Sequence, residues 1–254
     1  MKEAGIYKKE FFESHLDGPY RSAQQVVPII YDLFKPESVV DFGCGIGNWL
    51  KVWMDETPVK EVFGIEGPYI TEDLFKVPAH LISLKDLKQP IRLPKRYDLA
   101  VSLEVAEHIH EHDADVFLEN LVAASDVIVF SAAIKGQLGT YHVNEQYPEY
   151  WAEKFRALGY EAVDCFRHRI WNNHHIEYWY RQNMLLFIKK ERLQDFPTIT
   201  DDYHRTHPQM LLRVHPEQYE LKLQLIDKIS SFSGFLRWKL YPLKLALKKL
   251  FKIQ

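Results

Sequence analysis

Cysteine is scarce in this chain: Cys44 and Cys165 are the only two among 254 residues. No disulfide framework can be built on them, and a reducing cytoplasm is the default compartment. No apolar run approaches the roughly 18 residues of a membrane-spanning helix. The opening stretch MKEAGIYKKEFFESH is charged and lacks an apolar core, so it does not read as a secretory signal peptide. Internal repeats, low-complexity tracts and a glycine-lysine-serine phosphate cradle are all missing. Acids are missing from one place: from Arg237 onward there are six basic residues, Arg237, Lys239, Lys244, Lys248, Lys249 and Lys252, and no Asp or Glu. The net charge is -3, so with +6 in the tail residues 1–236 carry -9. An acidic body is a poor platform for nucleic acid, whose binding rests on neutralising phosphates.

What remains is 46% hydrophobic and 26% charged, the composition of an ordinary globular domain with an extension. Val26, Val27, Ile30, Leu33 and Phe34 recur at helical spacing between Tyr20 and Phe34, and Pro36 closes that segment. SVVDFG reads as a buried strand and GNWLKVWMDE as the helix after it. VKEVFGIEG, AHLISLKDL and YDLAVSLEV read as the second, third and fourth strands, the second ending on Glu66 and the third on Asp86. A helix over EHDADVFLENLVAAS and a fifth strand over DVIVFSAA follow. YPEYWAEKFRALGY is a helix stopped by Gly159, and EAVDCFRHRIW and NMLLFIKK make a closing strand pair. Alternating strands and helices predict an α/β fold with a mostly parallel sheet, and the closing pair predicts one antiparallel strand at its edge. The expected domain spans 1–190, and 191–254 reads as a connector with a helical extension.

The most informative stretch is VVDFGCGIGNW, Val39 to Trp49: an acid beside a turn with Gly43, Gly45 and Gly47 at alternate positions. In an open α/β sheet ligands bind outside the carboxyl ends of the strands, and glycines there let a ligand approach the backbone. The spacing G-x-G-x-G is not the G-x-G-x-x-G of a dinucleotide fold. Glu66 ends the second strand, where a carboxylate can grip two ribose hydroxyls. Asp86 ends the third, where it can meet an adenine amino group, and Asp41 can attract a cationic amine. Taken singly, Glu66 and Asp86 read equally well as solvated loop acids; together the three suit an adenosine with an amino-acid tail.

With VVDFGCGIG, FGIEG, LKDL and YDLAVSLEVAEHI in that order over about Gln24 to Lys190, the sequence resembles the class I S-adenosylmethionine-dependent methyltransferases. The resemblance implies a Rossmann-like, seven-stranded, mostly parallel sheet with helices on both faces. It also implies a cofactor site of Asp41, Gly43, Gly45, Gly47, Glu66, Asp86 and Leu87, with Ser102 and Leu103 under the sulfonium. Such a site has mainly to align a nucleophile in line with the transferred methyl group.

SLEVAEHIHEH places Glu104, Glu107 and His108 at E-x-x-E-H spacing, one face of a helical turn. Two carboxylates and an imidazole can hold a divalent ion such as magnesium or manganese. The spacing is similar to that of metal-dependent O-methyltransferases of ubiquinone biosynthesis and of enzymes methylating the 2′-hydroxyl at small-RNA 3′ ends. The latter add a histidine after the fifth strand, for which His142 is the counterpart here. Without a metal, His108 or His142 reads as a general base, or His108 as a packing residue. In the loop after the fifth strand, Gln137, Asn144, Glu145 and Gln146 read as contacts to a polyhydroxylated substrate, and Arg181 in WYRQN joins them. The loop and WYRQN are similar to methyltransferases encoded with bacterial surface-polysaccharide synthesis. The expected acceptor is therefore a sugar, glycan precursor or related metabolite. An RNA 3′-end methyltransferase and a non-catalytic cofactor-binding scaffold are the alternatives.

From Pro242, Lys244, Lys248 and Lys252 fall on one helical stripe and Leu243, Leu247, Leu250 and Phe251 on another. A basic amphipathic helix can lie on an anionic membrane surface, here the cytoplasmic face, or pack on protein.

Overall fold

A computed structural model describes residues 17–230, 236 and 239–241. The elements run α1 (Asp17–Phe34), β1 (Ser38–Phe42), α2 (Asn48–Glu56), β2 (Glu61–Glu66), β3 (Ile82–Leu84), β4 (Leu99–Leu103) and α3 (Ala114–Ala124). They continue with β5 (Val127–Ser131), α4 (Pro148–Ala157), β6 (Tyr160–Val163), α5 (Arg167–Ile170), α6 (Tyr178–Asn183), β7 (Leu185–Lys189), α7 (Thr200–Arg205) and α8 (Pro216–Ser230). The seven strands form one sheet in the order β3-β2-β1-β4-β5-β7-β6, parallel except for β7. This is the Rossmann-like arrangement, with helices on both faces.

Strand period two sorts the core. Val39, Val101, Val129 and Leu186 face one layer with Val26, Val27 and Ile30 of α1 and Trp53 of α2. Val40, Ala100, Ile128 and Phe187 face the other with Phe117 and Leu121 of α3 and Phe155 of α4. The Phe155 and Phe187 rings stack at 4.0 Å. Both layers are apolar, which is why β1, β4 and β5 read as continuous hydrophobic runs. The strand order reverses between β1 and β4, where Asp41 lies opposite Val101. That is where an open α/β sheet leaves a crevice beyond its carboxyl ends.

Two expectations are corrected. The antiparallel strand is not at the edge: β7 lies between β5 and β6, and β6 is outermost. EAVDCFRHRIW is a strand only to Val163, because the buried Arg167 turns back onto Asp164, with Nε and Nη2 at 2.8 and 2.9 Å from the two carboxylate oxygens. That i, i+3 fork closes a helical turn, and α5 follows.

The same Arg167 draws in what read as a connector. Its Nη1 donates to the Leu211 carbonyl at 2.6 Å, the Asp164 N–H donates to Thr206 Oγ1 at 2.9 Å, and Arg213 pairs with Asp164 at 2.8 Å. Ile199 and Leu211 are buried in the two core layers. The compact unit consequently ends at Arg213 rather than Lys190, and a second begins at Val214. The second unit contains α8, which exposes Tyr219, Leu221, Leu223, Leu225 and Ile226. The lysine and leucine stripes expected from Pro242 onward lie outside the described residues. Among the described residues, no helix is long and apolar enough to cross a membrane.

Removing one partner of a buried charge pair costs about 3–5 kcal/mol. Arg167→Leu is expected to lower the unfolding free energy by that order in urea titrations and to expose the 206–213 segment to limited proteolysis. A loss within the error of the titration contradicts the latch.

Candidate active site

A cavity of about 600 Å³ opens at the carboxyl ends of β1 to β4. It is built from four consecutive strand ends: Asp41 to Trp49, Glu66 to Ile70, Asp86 to Lys88, and Leu103 to Ile109. The glycine turn answers to local sterics. Gly43 (φ +80°) would drive a Cβ to 2.4 Å from Val105 Cγ2. Gly45 (φ +57°) faces open space and turns its N–H onto Glu66. Both occupy the left-handed region that side chains resist. Gly47 is also left-handed and starts α2, but it packs beside Val77 and does not line the cavity.

Glu66 is the hub of the turn. Its Oε2 accepts the Gly45 N–H at 2.6 Å, and its Oε1 accepts the Gly67 N–H at 2.6 Å and the Tyr69 hydroxyl at 2.5 Å. Burial raises its pKa, and those three hydrogen bonds partly offset the rise. Asp41, 4% exposed, is pushed up to about 8, first by burial and then by Glu66. Two buried acids facing one cavity favour a ligand carrying positive charge and hydroxyl donors. Asp86 is exposed at the rim, and its Oδ1 accepts the Lys88 N–H at 3.0 Å; Leu87 is buried beside it. Leu103 lines the cavity, whereas Ser102 does not: it is fully buried, and its hydroxyl stitches β4 to β1 by donating to the Phe42 carbonyl. Trp49, Tyr69, Tyr141 and Tyr180 also line it. Tyr180 belongs to the WYRQN stretch already singled out, whereas nothing in the sequence marked Trp49, Tyr69 and Tyr141, because an aromatic side chain fits core and cleft alike.

The E-x-x-E-H face does not form as one helix face. Glu104 takes φ +56°, and Ala106–His108 is a single 3-10 turn. The Glu104 carboxylate accepts Asn183 Nδ2 at 3.1 and 3.2 Å and Gln137 Nε2 at 3.1 Å. It is thereby held apart from the other three expected ligands. Glu107, His108 and His142 do converge, each offering a ligand atom within 4.8 Å of the others. His108 Nδ1 donates to the Tyr141 carbonyl at 3.1 Å and His142 Nδ1 to Glu145 Oε1 at 2.8 Å, which sets the proton of each ring on Nδ1. Both Glu107 oxygens are buried without a hydrogen bond of good geometry, although the Glu107 and Ala133 N–H groups act weakly on the carboxylate. Burial, then Glu104, raises its pKa well above the carboxylate range. His108 is pushed down to about 4 by burial and then by His142, against the Tyr141 hydrogen bond. A buried carboxylate beside two imidazoles is a donor set that fits a divalent ion.

The five residues expected to bind substrate do not line the cavity. Gln137 joins Glu104 to Gln182 and Asn183. Asn144 Oδ1 accepts Gln146 Nε2 at 2.9 Å, and Arg181 donates to the Trp171 carbonyl at 3.1 Å. Glu145 accepts the N–H groups of Gly136 and Leu138, both at 2.7 Å. A loop without regular structure has to satisfy its backbone from side chains, and here Glu145 does so, with Gln137 Oε1 accepting the Ile134 N–H.

A family model described as a methyltransferase domain matches residues 14–183. No curated protein matches the sequence. In fold, the chain is similar to the methyltransferase domain of bacterial CtHen1-C, with 19% identity over 67% of this chain and 98% of that one, TM-score 0.51. It is similar also to a chain of the complex between the Haloferax volcanii Trm112 methyltransferase activator and a methyltransferase, with 13% identity over 73% and 96%, TM-score 0.54. A third likeness is to the plantazolicin methyltransferase BpumL bound to a pentazolic desmethylPZN analogue and SAH, with 16% identity over 74% and 90%, TM-score 0.52.

Asp41 gives a pH signature. Its folded pKa, about 8, lies above the ordinary 3.8, so the folded state holds a proton that the unfolded state has lost between those values. Stability is therefore highest at low pH and falls as pH rises from 4 towards 8. In the ligand-free protein Asp41→Asn is expected to flatten that slope and to be the more stable form at pH 8, by about 3 kcal/mol at 1.4 kcal/mol per unit with part of the shift relaxed. Parallel slopes in denaturant titrations across this range contradict it.

Proposed function

The chain belongs to the methyltransferase-domain family and is an S-adenosylmethionine-dependent enzyme, and we propose that it methylates a hydroxyl of a sugar, glycan precursor or related metabolite. The observation that carries the hydroxyl is the trio Glu107, His108 and His142. A hydroxyl is a weak nucleophile until it loses its proton, whereas an amine needs no such centre. In this reading Glu66 holds the ribose diol, Asp41 the amino group and Asp86 the adenine. Leu103 and Val105, which line the cavity, exclude water beside the sulfonium.

Glu107, His108 and His142 are the residues that would hold a divalent ion. Mixed nitrogen and oxygen donors favour manganese over magnesium. Bound there, it would lower the pKa of a coordinated hydroxyl. With the ion bound, the His142 Nε2 lone pair would be spent on coordination and the proton would leave to solvent; with no ion, the same Nε2 would accept it, and the Glu145 carboxylate on Nδ1 would stabilise the imidazolium that forms. The oxygen then attacks the methyl carbon in line with its bond to sulfur, the O–C bond forms as the C–S bond breaks, and S-adenosylhomocysteine leaves. The sugar class rests on the charge of the body, which disfavours a polyanionic acceptor, and on the sequence resemblance.

His142→Ala is expected to lower kcat about 10²- to 10⁴-fold, the usual contribution of a positioned base. Exhaustive chelation is expected to abolish turnover and manganese to restore it. Full activity after chelation removes the ion from the reading and leaves His142 as base. Release of S-adenosylhomocysteine across nucleotide-sugars, glycans and RNA 3′ ends identifies the acceptor, and turnover on RNA alone contradicts the sugar.

Exposed apolar residues on α8, with Leu236, Leu240 and Tyr241, stand beside a sequence carrying six cations. Each cation near an anionic leaflet contributes about 1 kcal/mol, so the segment is suited to reversible attachment at a cytoplasmic membrane face. Co-sedimentation with anionic vesicles is expected to fall with salt and to be lost in Lys244→Glu, Lys248→Glu, Lys252→Glu. Equal sedimentation of the two proteins assigns the tail to protein packing.

A further inference from the structure

The loop after β5 is built around one imidazole. Gly139 lies so close to His142 that a Cβ would stand 2.2 Å from Nε2 and 2.3 Å from Cε1. Leu138 (φ +64°) and Tyr141 (φ +60°) hold left-handed backbone without being glycine, a conformation that persists only where surrounding contacts fix it. Glu145 supplies three of the fixing contacts. Glu145 Oε2 accepts the Gly136 N–H at 2.7 Å, and Oε1 accepts the Leu138 N–H at 2.7 Å and His142 Nδ1 at 2.8 Å. Just before it, the N–H groups of Val143 and Asn144 donate to the Glu107 carbonyl at 2.9 and 3.0 Å. The Tyr141 carbonyl accepts His108 Nδ1. Every residue of the trio is thus addressed by this one stretch of chain, and the stretch is closed by Glu145.

We propose that Glu145 is not a substrate contact but a positioning residue. It selects the His142 tautomer with the proton on Nδ1, aims Nε2 towards Glu107 Oε1, 4.0 Å away, and locks the turn that carries the Tyr141 carbonyl to His108. The inference rests on reading Glu107, His108 and His142 as a cation site. A carboxylate behind a ligating histidine fixes ring orientation and raises its basicity, and its loss lowers ion affinity about 10- to 100-fold. Glu145 stands outside the cavity wall, so the S-adenosylmethionine site should not register its replacement.

The test uses the full chain. Mn²⁺ alone is titrated by calorimetry into wild type, Glu145→Gln and Gly139→Ala, and S-adenosylhomocysteine is titrated separately as the control for an intact fold. Glu145→Gln is expected to lose Mn²⁺ affinity about 10- to 100-fold, with S-adenosylhomocysteine affinity unchanged. Gly139→Ala, which leaves the carboxylate in place and pushes the ring aside, is expected to lose it as well. Equal Mn²⁺ affinity in Glu145→Gln and wild type overturns the proposal, as does equal affinity in Gly139→Ala should the Glu145 variant not fold. If wild type takes up no Mn²⁺, the cation reading fails by itself. The ¹⁵N NMR shifts of the His142 ring then decide on Glu145: loss of the Nδ1–H tautomer in Glu145→Ala supports positioning, and an unchanged tautomer overturns it.

Discussion

One carboxylate at the end of β2 holds the ligand side of this sheet together. Glu66 reaches across to the turn after β1 and takes the Gly45 N–H, while its other oxygen takes Gly67 and Tyr69. A left-handed turn between a buried strand and a helix exposes backbone donors with no sheet or helix partner, and each would cost free energy if left unmade. Supplying them from the neighbouring strand fixes the spacing of two adjacent strand ends. It also brings a second acid near Asp41, which burial already holds protonated up to about pH 8. A cation arriving in the cavity would let Asp41 give up that proton and offset the cost of its burial.

The far wall is organised on a different basis. Glu104, the first acid after β4, is engaged by Asn183 and Gln137, which in turn reach Gln182. This buried polar network joins the ends of β4, β5 and α6 and leaves Glu107 as the acid without a hydrogen bond of good geometry. Where two neighbouring carboxylates are buried, satisfying one and orphaning the other separates their roles. The satisfied acid becomes scaffold, and the orphaned one is available to an incoming ion or proton. The loop from Ile134 to Gln146 completes the arrangement, since Glu145 serves its backbone and His142 while the Tyr141 carbonyl serves His108.

Arg167 performs the corresponding service at the opposite end of the sheet. Its burial obliges all its donors to find acceptors, and those acceptors, Asp164, Gln182 and Leu211, come from three separate stretches of chain. An arginine inside a strand-like run is a signal that the run is interrupted, because a guanidinium fork needs acceptors that an edge strand cannot supply.

The sequence by itself determined the alternation of strands and helices, the parallel sheet, the turn at Gly43 and Gly45, and the acids Asp41, Glu66 and Asp86 at successive strand ends. These are readable because burial period and glycine placement are local properties, set within a few residues along the chain. Tertiary structure alone decided that Gln137, Asn144 and Arg181 are buried, that Ser102 stitches two strands, and that residues up to Arg213 dock on the body. It also decided which three of four candidate ligands meet. A polar side chain is chemically the same whether it faces a substrate or an unpaired backbone N–H. Only the distances between elements far apart in the sequence choose between the two.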